Sequence, residues 1–118
     1  MTKEIKIIND SEYAQILQRA VAEIQTARAT IARQINTTVN SAYWNIGKLL
    51  LEKNLEGGYG SGVVNRLSID LKEQFPDMGL SPRNLWYMKR YYKLYYQADI
   101  KLQRCVAVLP WGHNILLM

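Results

Sequence analysis

The sequence predicts an all-α protein, with a long N-terminal helix followed by a helix-turn-helix-like bundle of shorter helices. Three observations predict it. Between Ser11 and Lys53 there is no proline and only one glycine, Gly47. The segment Glu56 to Gly62 then places four glycines in seven residues. Two of the three prolines, Pro82 and Pro110, fall where apolar-periodic runs begin or end, the positions a helix tolerates.

Within the first element, apolar or small residues recur at Tyr13, Leu17, Ala20, Ile24, Ala27, Ile31, Ile35, Thr38, Ala42, Ile46 and Leu49, in steps of three and four. Such steps lay one stripe along a helix. Asp10 or Ser11 is the expected N-cap, because a short side-chain oxygen accepts from the free amides of the first turn. A helix of about 40 residues would reach about 60 Å. The stripe keeps its phase across Thr26 to Thr30, so one long helix is favoured over a hairpin broken there. An N-terminal half that long is expected to pair with a copy of itself or with another chain. Residues 1–10 are expected to be disordered or extended, and residues 11–118 to form a single helical domain.

The glycines of Glu56 to Gly62 free the backbone and are expected to act as a hinge that ends the first helix. A second helix is predicted over about Ser61 to Phe75, burying Val63 or Val64, Leu67, Leu71 and Phe75, with Arg66, Asp70, Lys72 and Glu73 outward. Pro76 to Leu80 is a short turn. Ser81-Pro82 then supplies an N-cap hydroxyl followed by proline at the first helical position. The third helix runs from Pro82 to about Gln97, a fourth from Ile100 to Leu109, and a last element from Trp111 to Met118.

Net charge is +5, and its placement is uneven. Residues 1–80 hold nine Lys/Arg against nine Asp/Glu, whereas residues 81–104 hold six cations against Asp99 alone. The whole excess therefore lies in Ser81 to Arg104. A surface of one sign steers polyanions and loosens its hold as salt rises. On a helical wheel with Leu85 at zero, Met88, Tyr91, Tyr92, Tyr95 and Tyr96 fall between about 240° and 20°, the expected core side. Arg83, Trp86, Lys89, Arg90, Lys93 and Gln97 fall between about 40° and 160°. That face has four cations and no acid. Cations of this kind neutralise phosphates or address guanine edges, while Asn84 or Gln97 could read adenine. The layout of two helices joined by a glycine-containing turn is that of a helix-turn-helix, whose second helix enters the major groove.

Other chemistries are disfavoured. A single cysteine and a single histidine cannot build a zinc site or an internal disulfide. No metal or other cofactor is expected. Cys105, among Val106, Ala107 and Val108, is expected to be buried and inert, and His113 to cap or pack rather than catalyse. The glycine-rich segment lacks the Gly-Lys-Ser/Thr of a phosphate loop. No apolar run approaches the roughly 20 residues that span a bilayer. The expected setting is cytoplasmic, with no membrane contact.

The runs Tyr43-Trp44-Asn45-Ile46-Gly47-Lys48, Leu67-Ser68 to Phe75, Ser81-Pro82-Arg83-Asn84-Leu85-Trp86-Tyr87-Met88 and Leu109-Pro110-Trp111-Gly112-His113 occur in that order. Over about residues 10 to 118 the chain resembles the N-terminal domain of the YhcG-type family. The resemblance implies a helical, helix-turn-helix-like DNA-binding region that precedes a C-terminal PD-(D/E)XK-type nuclease domain. It carries over to Arg83, Asn84, Trp86 and Arg90 as nucleic-acid contacts, and it assigns no role to His113. The nuclease motif itself does not occur here, since Pro76-Asp77 has no suitably spaced acid and lysine after it. Because metal-dependent cleavage needs clustered carboxylates, the chain alone is expected not to be an enzyme. The family's helical domain would continue beyond Met118, so truncation at the C-terminal end is expected.

The leading expectation is therefore a non-catalytic DNA-binding module resembling the targeting domain of a nuclease. Its expected contacts are Arg83, Asn84, Trp86, Lys89, Arg90 and Lys93. The alternative is a protein-interaction or oligomerisation module built on the long first helix. DNA is the principal partner expected, and a second copy of the chain and a nuclease domain or subunit remain open.

Overall fold

An asparagine, rather than the aspartate or serine after it, starts the first helix. The Glu12 amide donates to Asn9 Oδ1 (2.8 Å), and the Asn9 amide donates to Glu12 Oε1 (3.2 Å). This reciprocal capping box satisfies two of the amides that a helix start leaves bare. The computed structural model describes residues 9–53 and 57–118, the side chains of 57–61 excepted. The expectation for residues 1–10 falls almost wholly outside the described residues. Five helices follow in order: α1 (Asp10–Glu52), α2 (Gly57–Gln74), α3 (Pro82–Tyr95), α4 (Ile100–Ala107) and α5 (Trp111–Leu117). No strand occurs among the described residues, and the all-α fold with a long first helix is as the sequence predicts. The chain divides into two units, Met1–Arg33 and Gln34–Met118.

The glycines of residues 57–62 do not form the expected hinge. Helix α2 begins at Gly57, so glycines 57, 58, 60 and 62 lie within a helix rather than in a hinge ending near Ser61. Each glycine weakens a helix by about 1 kcal/mol relative to alanine without forbidding it. Helix α2 ends at Gln74, one residue before Phe75, which is 47 % exposed instead of buried. Val64 is buried as expected, and Leu67 and Leu71 pack on the core from its margin. Ser68 joins that face by donating its hydroxyl to the Leu80 carbonyl (2.6 Å), which fixes the turn that follows.

Within Gln34–Met118 the core consists of two clusters. Tyr43, Leu50, Val64, Leu80, Leu85 and Met88 form the first; Tyr91, Tyr95 and Val106 form the second. Trp111 packs against both. The face that α1 contributes is not the anticipated stripe. Asn40, Tyr43, Gly47 and Leu50 are buried and Ile46, a stripe residue, packs at their margin, while Ile35 and Leu49 stay about half exposed and Thr38 and Ala42 are exposed. On a wheel the two faces lie about 100° apart. Gly47 accounts for the choice. A Cβ built there would lie 2.0 Å from the Met88 carbonyl oxygen, so α1 and α3 meet backbone to backbone at a point only glycine can occupy. Close approach, more than stripe hydrophobicity, selects the packed face.

The start of α3 is as the sequence signals, with Ser81 Oγ accepting from the Asn84 amide (3.1 Å) and Pro82 in the first turn. Leu85, Met88, Tyr91 and Tyr95 are buried; Tyr92 is half-buried, and Tyr96, past the helix end, is exposed and stacks on Tyr92 with ring centroids 5.0 Å apart. Asp99 caps α4 by accepting from the Lys101 amide (2.8 Å). Cys105 on α4 is exposed, not buried, because Val106 is the residue of that short helix turned into the core. His113 is likewise exposed on α5.

Candidate nucleic-acid interface and the joint behind it

Residues 86 to 94 of α3 are polar outside and apolar within, and the outer side forms a groove of about 520 Å³. Its walls are Trp86, Lys89, Arg90, Lys93 and Leu94. Four of the six residues singled out in the sequence therefore meet at one place. They are not equivalent. Lys93 and Arg90 are exposed, whereas Trp86 is half-buried against the first core cluster. Lys89 is only 6 % exposed, with its ammonium 4.9 Å from the Trp86 ring centroid. Its position at the edge of the cationic arc, next to the core side of the wheel, explains this. The aliphatic stem is covered and the charge rests on an aromatic face, an arrangement that keeps a buried cation stabilised. Arg90 Nη2 donates to the Met118 main-chain oxygen (2.6 Å), which uses one arm of a guanidinium with several donors. Arg83 is exposed, with its guanidinium carbon 5.8 Å from the Tyr87 ring centroid, and lies outside the groove lining. Leu94, which the wheel did not single out, forms an apolar wall.

Asn84 also bonds within the chain. Its Nδ2 donates to the Gly79 carbonyl, and its Oδ1 accepts from Trp111 Nε1 (2.7 Å). Both ends of the carboxamide are thus engaged inside the chain, which makes Asn84 part of a joint. Trp111 in turn meets Tyr43 edge-on at 4.8 Å and Tyr91 edge-on at 5.2 Å between ring centroids. Trp44 stands edge-on to Tyr91 and Tyr92 at 5.6 and 5.0 Å. Burial raises the phenol pKa of Tyr43, and burial, helped by the nearby Tyr95, pushes that of Tyr91 up to about 12. The three sequence runs YWNIGK, SPRNL and LPWGH, far apart in the chain, converge here.

Asparagines complete the joint. Asn40 Nδ2 donates to the carbonyls of Leu109 (2.7 Å) and Ala107 (2.9 Å), and lies 3.4 Å from that of Val106. Asn114 Nδ2 reaches the same Val106 carbonyl at 2.9 Å, and Asn36 Nδ2 donates to Val108 at 3.2 Å. These amides satisfy the carbonyls that the end of α4 leaves without intrahelical partners. Neither Asn36, Asn40 nor Asn114 was singled out from the sequence. The available signal was a pair of asparagines, Asn36 and Asn40, four apart and so on one face of α1.

Among the described residues no group of three or more His, Cys, Asp or Glu is placed to hold a metal ion, and no helix is long and apolar enough to cross a membrane.

Fold and groove together define an all-helical module with an aromatic joint and a cationic groove on its third helix. The chain belongs to the DUF1016 N-terminal domain family, whose model matches residues 19–118. It is also 27 % identical over 104 residues to the Escherichia coli (strain K12) protein named "Putative nuclease YhcG", a match covering 85 % of this chain and 28 % of that protein. The chain thus spans less than a third of the length of that curated relative. No solved structure matches.

Proposed function

We propose that this chain is a non-catalytic DNA-binding module that presents a nucleic acid to an associated nuclease domain or subunit. The observation that carries the reading is the groove on α3, where Lys89, Arg90 and Lys93 gather around Trp86 on a helix that contains no acidic residue. Arg83, exposed on the same helix, extends the cationic surface toward its N-terminal end. Arg90 and Lys93 are the phosphate-neutralising residues, and Trp86 with Lys89 forms the floor. Helix α2, the connection 75–81 and α3 serve as a helix-turn-helix variant, longer in its turn than the usual three or four residues. The relative's name, "Putative nuclease YhcG", supports the nuclease association. A cytoplasmic setting belongs to the same proposal, and an exposed free thiol at Cys105 is compatible with it.

The test is binding of duplex DNA as a function of salt. Affinity is expected to fall linearly on a log–log plot. Arg83→Glu, Arg90→Glu and Lys93→Glu together are expected to weaken binding by about a hundredfold or more and to flatten the salt slope by about two to three. Lys89 is left intact because it is buried. Tight binding that ignores salt, or an unchanged affinity in the triple variant, would refute the interface.

The alternative expected from the sequence, an interaction module on the first helix, has an independent observation in its favour. Its apolar stripe is exposed from end to end among the described residues of the first unit.

A further inference from the structure

In the unit Met1–Arg33, every described residue is exposed, although the helix there carries Tyr13, Ile16, Leu17, Val21, Ile24 and Ile31, each between 43 % and 58 % exposed. A lone helix of this length is marginal in water, and the stability of an amphipathic helix comes from covering its apolar stripe. The capping box at Asn9 and Glu12 fixes where the helix starts and contributes only about 1 kcal/mol. The stripe therefore calls for a cover, and its pattern says which one.

Leu17, Ile24 and Ile31 repeat every seven residues, as do Tyr13, Ala20 and Ala27, and the two sets alternate in steps of four and three. These are the a and d positions of a heptad, with no charged residue at any of them. The flanking positions discriminate between arrangements. In a parallel, in-register pair, each g residue faces the e residue five positions later on the other helix. Ile16 then meets Val21, and Glu23 meets Arg28, each contact occurring twice by symmetry. An antiparallel pair that sets Ile24 against Ala20 brings Glu23 onto Glu23 of the second copy instead. β-branched isoleucine at two of the three a positions also favours two parallel strands.

The six large side chains, each 43–58 % exposed, together with Ala20, Ala27 and the stems of Glu23 and Arg28, leave each helix a continuous apolar stripe that a second helix can cover. We propose that residues 13–31 form a parallel two-stranded coiled coil with a second copy of this chain, in register through Leu17, Ile24 and Ile31 and oriented by Glu23–Arg28 pairs. This interface is independent of the DNA-binding groove.

The test uses the 118-residue chain without nucleic acid, with mass followed by sedimentation equilibrium across concentration. The expected mass is twice the 13.7 kDa of one chain. Ile24→Asp with Ile31→Asp is expected to give monomer throughout. The near-ultraviolet circular dichroism of the Tyr43, Trp44, Tyr91 and Trp111 joint should remain, which separates dissociation from unfolding. Glu23→Arg alone and Arg28→Glu alone are each expected to weaken association by about tenfold, and the double exchange to restore it. A chain that is monomeric at all concentrations, leaving the stripe for a different partner, overturns the proposal. So does an aspartate variant that stays dimeric, or a double exchange that fails to restore association.

Discussion

The joint and the groove share helix α3 but are built on opposite principles. On the inner side, Tyr91, Asn84 and Met88 meet Trp111, Tyr43 and Gly47, with the Asn84 carboxamide bonded at both ends and rings edge to edge. On the outer side, Arg90 and Lys93 stand exposed around a groove floored by Trp86. The motif residues that give the chain its family signature fall mostly on the inner side. The three runs YWNIGK, SPRNL and LPWGH therefore supply much of the architecture that holds α3, while of the exposed cations Arg83 lies within a run and Arg90 and Lys93 lie outside them. Changes to the joint should cost stability, and changes to the groove should cost binding alone.

The largest effect is expected at Gly47. Gly47→Ala places a methyl against the Met88 carbonyl, a backbone atom that cannot rotate away. The helices must separate, and a loss of about 3 kcal/mol or more is expected in chemical denaturation. Asn40→Ala comes next. It strands the Ala107 and Leu109 carbonyls in a part-buried setting, for an expected loss of about 2 kcal/mol. The unpartnered, buried Oδ1 of Asn40 disappears with the side chain, which offsets some of the cost.

Alkaline pH probes the joint without mutation. Tyr91 has a folded pKa of about 12 against an ordinary 10.0, so the folded state favours the protonated phenol. The associated stability is fully present below pH 10.0 and is lost as pH rises toward about 12. A decline of about 2 kcal/mol from Tyr91 is expected across that window, much reduced in Tyr91→Phe, where only the contribution of the buried Tyr43 remains, and followed by denaturant midpoints at successive pH values. The smallest effect on stability is expected in the groove. Arg90→Glu with Lys93→Glu should move the unfolding free energy by no more than about 0.5 kcal/mol, since both residues are exposed. A large stability loss in that double variant would break the division between the two sides.

Much of this division was legible in advance. The wheel separated Leu85, Met88, Tyr91 and Tyr95 from Arg90 and Lys93 because a helix in a small bundle buries one arc, and its apolar residues mark that arc. It misjudged the edges. Lys89, one step from the core side, was drawn in by its own aliphatic stem and by Trp86. Asn84 was legible as a polar group in the first turn of a helix, but its partners lie at Gly79 and Trp111, and no spacing rule connects them. Cys105 was misplaced because a short helix at the margin turns only one or two residues inward, and its apolar neighbours do not say which.

By itself the sequence determined the helical class, the start of α3 at Ser81-Pro82, the concentration of charge on residues 81–104 and the heptad spacing of residues 13–31. These depend on local periodicity, capping chemistry and composition, which act within a few turns of chain. Only the tertiary structure decided which face of α1 enters the bundle, that Asn40 and Asn114 close the end of α4, and that Asn84 is a joint. Those outcomes rest on backbone approach at Gly47, on carbonyls more than sixty residues from the Asn40 amide, and on tertiary neighbours of Asn84 and Asn114 that no local rule names. Periodicity names the faces a helix has; the neighbour that comes closest decides which of them is used.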